Sequence, residues 1–374
     1  MPLSDLLNVC IDLCVIISIL IKYYQRETKI HTIDNYETDI QTIKTLADKI
    51  VLQIASTSQW STYHNWKTVS SLASTNTADR IAEYKRLWQH PRRYGTCVDF
   101  ANLCAQRLRT ALSTIPSLSH HASNVKLEAS RPSEKLTGQL GRPEHVIATL
   151  QIGTSLIVMD PNFAPSSIVL RTGEKREICS FVTFDDDLTS VSYYWFCRRK
   201  APHRGTLVYI SSSASRGAQA YSTSEMSWDD AIMQLTFDMA KEMRKYDGKK
   251  FPESKFLLTG QVLSERPLLP AVETPGGFWT YTCKVAFYFH TGWISVLFPL
   301  ADWLYKPENG GSLRRMEELG VSWTKLVRNA STGRLQVRNS GSREDKERIE
   351  LVAEMVERLG IDRTEFLKAV EDVS

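Results

Sequence analysis

The sequence predicts an α+β protein, with helices first, a long run of short strands next, and helices again at the end. Three observations predict it. Ile40, Ile43, Leu46, Ala47, Ile50, Val51 and Ile54 recur at i, i+3 and i+4, the spacing of a helix with one buried stripe. From His145 to Ile210 come short apolar, β-branched segments separated by Gly, Pro, Asp and Ser, which read as strands and turns. Arg343 to Leu359 is a charged helix, stopped by Gly360 and followed by Asp362, a cap for a last helix to Val370. Separate runs of helices and strands, rather than strict alternation, favour α+β over a parallel-sheet fold.

Length and composition bound the function. The 374 residues can bury a sizeable core. A net charge of +4 is small beside 46 basic and 42 acidic residues, so composition offers no polyanion-binding surface, and no nucleic acid partner is expected. Seven cysteines (Cys10, Cys14, Cys97, Cys104, Cys179, Cys197 and Cys283) include no CxxC pair and no zinc-finger spacing. A reduced, cytoplasmic protein is the simpler reading, with most cysteines acting as small buried hydrophobes.

Taken in order, residues 1–25 form an apolar N-terminal helix. Its run from Leu13 to Ile21 is interrupted upstream by Asp12 and closed by Lys22, short of the ~20 residues a spanning helix needs. A buried helix is expected, with membrane association through residues 1–25 as the second reading. Residues 26–210 form the core unit: the helix through Ile54, a Ser/Thr-rich loop over 67–78, a helix from Ala78 to Trp88, then the helix over 97–112 and the strands. Ser211 to Ser227, rich in Ser, Ala and Gly, reads as a boundary. Residues 211–330 are expected as a mixed α/β region with a helix from Trp228 to Tyr246, strands over 256–300 and a helix from Leu313 to Leu326. Residues 331–374 are expected as a polar linker, Thr332 to Ser342, and the C-terminal helical hairpin.

The helix over 97–112 is the best-specified element. Thr96 is its N-cap, and Asp99 stands three residues on, close to a capping box. Cys97, Ala101, Cys104, Leu108 and Ala111 share one stripe, so Cys97 faces inward at the mouth of the helix. A thiol there is favoured as thiolate, because the unpaired N–H groups and the macrodipole attract negative charge. Downstream, His145 to Ile152 and Ser155 to Asp160 read as a hairpin about Gly153-Thr154. A two-residue turn sets Ile147 opposite Asp160 and His145 opposite Asn162, on one face. His145 and Asp160 then lie on a diagonal, about 7–8 Å apart at the backbone, within reach of a carboxylate–imidazole bond. Cysteine catalysis needs a thiolate, a base and a group that orients the base. Cys97, His145 and Asp160 are the expected catalytic residues, with Asn162 the alternative orienting group. Gln89, Trp88, Gln59 and Trp60 are donors among which the sequence does not choose for an oxyanion hole. His120-His121 is an adjacent pair without a third ligand, a poor metal site. Asp185-Asp186-Asp187 lacks calcium-loop spacing.

Gly95-Thr96-Cys97-Val98-Asp99-Phe100-Ala101-Asn102-Leu103, followed by Arg107-Leu108-Arg109, resembles the nucleophile helix of the transglutaminase-like superfamily. The strand from His145 and the return strand ending Met159-Asp160-Pro161 resemble its second and third motifs, at similar intervals. The resemblance covers roughly residues 80–200. It implies a papain/transglutaminase-like core, with the nucleophile-bearing helix packed on an antiparallel sheet and a Cys-His-Asp triad, plus an additional mixed C-terminal region. Val146-Ile147 follow the histidine where the family often has an aromatic residue. Arylamine N-acetyltransferases share the same order of cysteine, histidine and aspartate, but Arg93-Tyr94-Gly95-Thr96 differs from their Arg-Gly-Gly lead-in.

The expected activity is acyl transfer or hydrolysis. Cys97 takes an acyl group from a peptide, amide or thioester donor, and an amine or water accepts it. No metal or organic cofactor is required for this chemistry. The alternatives are an arylamine N-acetyltransferase-like acyltransferase and a catalytically inactive fold that binds another protein.

Overall fold

The computed structural model describes residues 36–71, 79, 82–83, 86, 93–132, 145–162, 164–181, 190–198, 205–213, 217–227, 255–264, 278–288, 291–300, 306–325 and 332–372. The N-terminal helix expected over 1–25, the helix expected from Trp228 to Tyr246 and the Asp185-Asp186-Asp187 turn lie outside these residues. Among the described residues no helix is long and apolar enough to cross a membrane.

Helix α1 spans 36–57 and buries Ile40, Ile43, Ala47, Val51 and Ile54, most of the stripe that its spacing predicts. A two-residue strand β1 (Gln59–Trp60) follows, then α2 (Thr62–Ser71), which occupies the start of the stretch expected to be a loop. Little in the sequence announces α2, because its apolar content is low and tertiary contacts rather than propensity hold it. Tyr63, on its inner side, is almost fully buried against Phe287. Strand β2 (Tyr94–Gly95) pairs in parallel with β1 and feeds directly into α3 (Cys97–Ser113).

The main sheet has eight strands: β3 (Val125–Pro132), β4 (His145–Ile152), β5 (Ser155–Met159), β6 (Ile168–Arg171), β7 (Lys175–Phe181), β8 (Ser190–Arg198), β9 (Gly205–Ser213) and β10 (Gly217–Met226). Their order is β6-β5-β4-β3-β10-β9-β8-β7, antiparallel throughout. The Ser/Ala/Gly-rich passage expected as a boundary is strand β10, paired with β3 on one side and β9 on the other. Its small and hydroxyl side chains gave no hydrophobic alternation, and its neighbours supply the ladder instead. β6 and β7 stand at opposite ends of this order, yet only residues 172–174 join them. Four residue steps span at most about 14 Å, so the sheet must curl until its two ends approach each other.

Helix α3 packs on β3 and β4. Ala101, Cys104, Ala105, Leu108 and Leu112 are buried in one cluster with Leu127, Ala129, Val146, Ala148 and Leu150. Leu108 and Leu112 alone contribute about 1.5–3 kcal/mol each by leaving water. The fold is α+β, with the cysteine-bearing helix laid on an antiparallel sheet.

A second sheet holds β11 (Lys255–Ser264), β12 (Phe278–Tyr288), β13 (Trp293–Pro299), β14 (Trp323–Lys325) and β15 (Thr332–Arg338), ordered β11-β12-β13-β15-β14. Strand β15 occupies the expected polar linker. Leu335 and Val337 point inward while Arg334, Gln336 and Arg338 face water, a half-buried alternation that a composition reading took for a loop. The helix expected from Leu313 to Leu326 is shorter: α4 covers Gly310–Glu318, Gly320 turns the chain at φ +65°, and β14 follows. Helices α5 (Arg343–Arg358) and α6 (Arg363–Glu371) form the terminal pair that the sequence predicts. Asp362 caps α6 by accepting from the N–H groups of Thr364 (2.9 Å) and Glu365 (3.2 Å).

Candidate functional site

The approach to Cys97 is fixed by backbone pairing. Gln59 N–H donates to Arg93 O at 2.6 Å, and Ser61 N–H donates to Gly95 O at 2.8 Å, so β1 holds the residues just before the helix. Gly95 is required sterically: a Cβ there would stand 2.8 Å from Asp99 Cβ and 3.0 Å from the Phe100 ring. Asp99 is fully buried. Its Oδ2 accepts from Thr96 N–H (2.8 Å), Thr96 Oγ1 (3.2 Å) and Asn65 Nδ2 (2.9 Å), while Asn65 also donates to Thr96 Oγ1 at 3.0 Å. The first turn of α3 is therefore locked by a carboxylate and by an amide from α2. Asp99 is legible in the sequence as part of a cap, whereas the role of Asn65 depends on α2 lying against the mouth of α3.

β4 and β5 pair as Ala148↔Met159 through Ile152↔Ser155, the register expected of a Gly153-Thr154 turn, and Gly153 adopts φ +56°. His145 opens β4, and Asp160 follows β5. Both are buried, and His145 Nε2 lies 2.7 Å from Asp160 Oδ2. An ionised carboxylate only accepts, so Nε2 carries a proton, and Nδ1 is left toward the half-buried Cys97 thiol, which lies within hydrogen-bonding reach of the ring. The structure thus brings Cys97, His145 and Asp160 together from one helix mouth and one hairpin.

Asn162, the alternative orienting group, does not replace Asp160. Its N–H and Nδ2 both donate to Asp160 Oδ1, at 3.3 and 3.2 Å, so it holds the carboxylate whose other oxygen faces His145. Burial alone would push the His145 imidazole down. The Asp160 charge and hydrogen bond, together with Cys97, outweigh it and raise His145 to about 10. Asp160 thus favours the imidazolium form of His145, the partner a thiolate needs. Cys104, two turns along α3, is fully buried, and burial pushes its thiol up. The two cysteines of one helix therefore have opposite characters, one reachable and beside an imidazole, the other an inert core residue.

Among the oxyanion candidates, Gln59 Nε2 donates to Gly360 O at 2.6 Å and is committed there. Trp60 packs against the core. Trp88 and Gln89 lie outside the described residues. The first N–H groups of a helix have no carbonyl partner within it, so the backbone N–H groups of Cys97 and Val98 are donors adjacent in sequence to the thiol.

The terminal pair α5–α6 also reaches this region. His64 stacks on Tyr94 with ring centroids 3.8 Å apart, its Nδ1 lies 2.8 Å from Ser61 Oγ, and its Nε2 lies 3.0 Å from Glu365 Oε2. Arg93 pairs with Asp362 at 2.9 Å, and Tyr63 donates to Asp372 at 2.5 Å. These contacts pin β1, α2 and β2, the segments that deliver Cys97.

No family model matches the sequence, and no curated protein matches it. Among solved structures, the chain is similar to the arylamine N-acetyltransferase from Mycobacterium abscessus. That match has 11% identity, covers 91% of this chain and 94% of that one, and has a TM-score of 0.38. It is also similar to a cysteine-to-glutamine variant of the Mycobacterium smegmatis N-arylamine acetyltransferase, at 10% identity over 87% and 90% of the two chains, with a TM-score of 0.39. The match to the Salmonella typhimurium enzyme has 12% identity and a TM-score of 0.28. It covers 55% of this chain and 59% of that one, so it spans about three-fifths of that enzyme's length.

Proposed function

We propose that this chain is a cysteine-dependent acyltransferase or hydrolase of the transglutaminase-like kind, with Cys97 as nucleophile, His145 as acid and base, and Asp160 as the group that orients His145. The observation that carries the reading is the buried 2.7 Å His145–Asp160 bond, with the remaining ring nitrogen turned to a thiol at a helix N-terminus. With the Cys97 proton held on His145 Nδ1, the thiolate attacks the carbonyl carbon of the donor. The carbonyl electron pair moves to oxygen, where first-turn N–H groups of α3 receive the charge. As the carbonyl reforms, the leaving group departs with the proton from His145, and the acyl group stays on sulfur as a thioester. An amine or water then gives His145 a proton, attacks the thioester and releases Cys97 as thiolate. Asp160 keeps the ring in one tautomer throughout. Asn162, Asp99 and Asn65 act through the groups they hold.

The acyl donor is a peptide, amide or thioester. Because transfer and hydrolysis share the first half-reaction, the acceptor decides between them. A reducing, cytoplasmic setting suits this chemistry, and among the described cysteines Cys97, Cys104 and Cys283 are free thiols. The test is intact-mass analysis after exposure to a panel of acyl thioesters, esters and amides, followed by peptide mapping. A single acyl adduct on Cys97, absent from Cys97→Ala and discharged by added amine or by water, is expected. Turnover retained in Cys97→Ala would overturn the proposal.

A further inference from the structure

We propose that Asp39, His120 and His121 form a binding site for a divalent transition metal of the zinc class, separate from the Cys97 site. The two histidines lie in the 3-10 turn Ser119–Asn124 that follows α3, and Asp39 comes from the first turns of α1. In sequence the pair has no third ligand nearby. In the fold, α1 brings a carboxylate to it across 82 residues, with His121 Nε2 3.3 Å from Asp39 Oδ2. One ligand atom from each of the three residues falls within 4.8 Å of the other two. The two imidazole rings stand with centroids 3.9 Å apart, tilted by 41°.

Zinc binds imidazole and carboxylate at roughly 2.0–2.2 Å in a tetrahedron, which sets neighbouring ligand atoms about 3.3 Å apart. The His121–Asp39 pair already has that separation. His120 is exposed, so its side chain can turn to close the remaining gap at little cost. His121 is 4% exposed, which fixes one ligand in place. Two imidazoles and one carboxylate form a donor set for zinc and its neighbours rather than for magnesium or calcium, which favour all-oxygen shells. An ion pair between Asp39 and His121 uses one imidazole; a metal uses both and leaves a fourth position for solvent. A bound ion would tie α1 to the segment leaving α3, bracing the far end of the nucleophile helix.

The experiment uses the full chain in a Cys97→Ala background, so that the reactive thiol cannot take the metal. Zinc binding is measured by calorimetry, and thermal midpoints are recorded with and without added zinc. One zinc per chain and a raised midpoint are expected, and His120→Ala and Asp39→Asn should each weaken binding by about 10-fold or more. His120 is exposed, so His120→Ala leaves the fold intact and reports on the ligand alone. Binding of equal strength in His120→Ala, or no zinc-dependent rise in the Cys97→Ala chain, overturns the proposal. Cobalt substitution adds a spectroscopic arm: a visible spectrum without thiolate charge transfer is expected, and a thiolate band would place the ion on cysteine and overturn the site.

Discussion

Asp160→Asn separates the charge of the carboxylate beside His145 from its shape. Asparagine keeps an oxygen that can accept from His145 Nε2, which lies 2.7 Å from Asp160 Oδ2, but removes the negative charge. In the native protein burial pushes His145 down, and Asp160 with Cys97 raises it to about 10. Without the carboxylate, burial becomes the largest influence, and the imidazole should fall below its ordinary value of about 6.5. Because the folded value lies above the unfolded one, the pair's contribution to stability is complete below about pH 6.5 and is lost as pH rises through about 10. Removing one partner of a buried pair costs about 3–5 kcal/mol. With the hydrogen bond retained, the lower half of that range is expected near pH 6.5, shrinking toward zero near pH 10. Urea melts of both proteins across this interval measure the gap directly. Alkylation of Cys97 by iodoacetamide, read by peptide mass, supplies the second signal. The native thiol, within hydrogen-bonding reach of the His145 ring, should be alkylated faster at neutral pH than the thiol of the variant. A stability gap that is constant or widens with pH, together with an unchanged alkylation profile, would refute the ion-pair account.

Three other substitutions probe the same geometry. Gly95→Ala places a Cβ 2.8 Å from Asp99 Cβ and should cost about 1–3 kcal/mol by overpacking the helix mouth, read as a lower thermal midpoint with slower acylation. Asn162→Ala removes the Nδ2 bond to Asp160 but leaves the backbone N–H bond, and it also deletes a buried Oδ1 that has no partner; stability should change by less than about 1 kcal/mol while kcat falls with KM little changed. Phe366→Ala empties a fully buried site beside Phe287 and should cost about 3–5 kcal/mol, with proteolytic cleavage in α6 as the earliest sign of opening.

The parts of the fold legible in the sequence were those whose signals are local. Thr96 and Asp99 marked a helix start, Gly153-Thr154 fixed a hairpin register, and Gly360 with Asp362 punctuated the terminal pair. That register was enough to set His145 and Asp160 on a diagonal. What sequence could not reveal depended on distant neighbours. β10 has too few apolar side chains to announce a strand and forms because β3 and β9 flank it. Thr332–Arg338 alternates on one face only, and its polar half resembled a linker. Asn65 acquires meaning only when α2 lies against the mouth of α3, and Asp39 only when α1 crosses the 3-10 turn. The orienting role suggested for Asn162 gives way for a physical reason: its donors are spent on Asp160, so the residue supports the carboxylate rather than replacing it.

Gln59 and His64 each wait 301 residues for their partners in the terminal pair, Gly360 and Glu365. At about 5–20 residues per second, the ribosome needs roughly 15–60 s to make that stretch. During that interval β1 and α2 lack their last restraints, although Cys97 and His145 have already been translated. A product that stops before Gly360 carries Cys97, His145 and Asp160 but not the brace on the segments leading to the thiol. The helix pair α5–α6 therefore sets when the segments leading to Cys97 gain their last restraints, some 301 residues after their own synthesis.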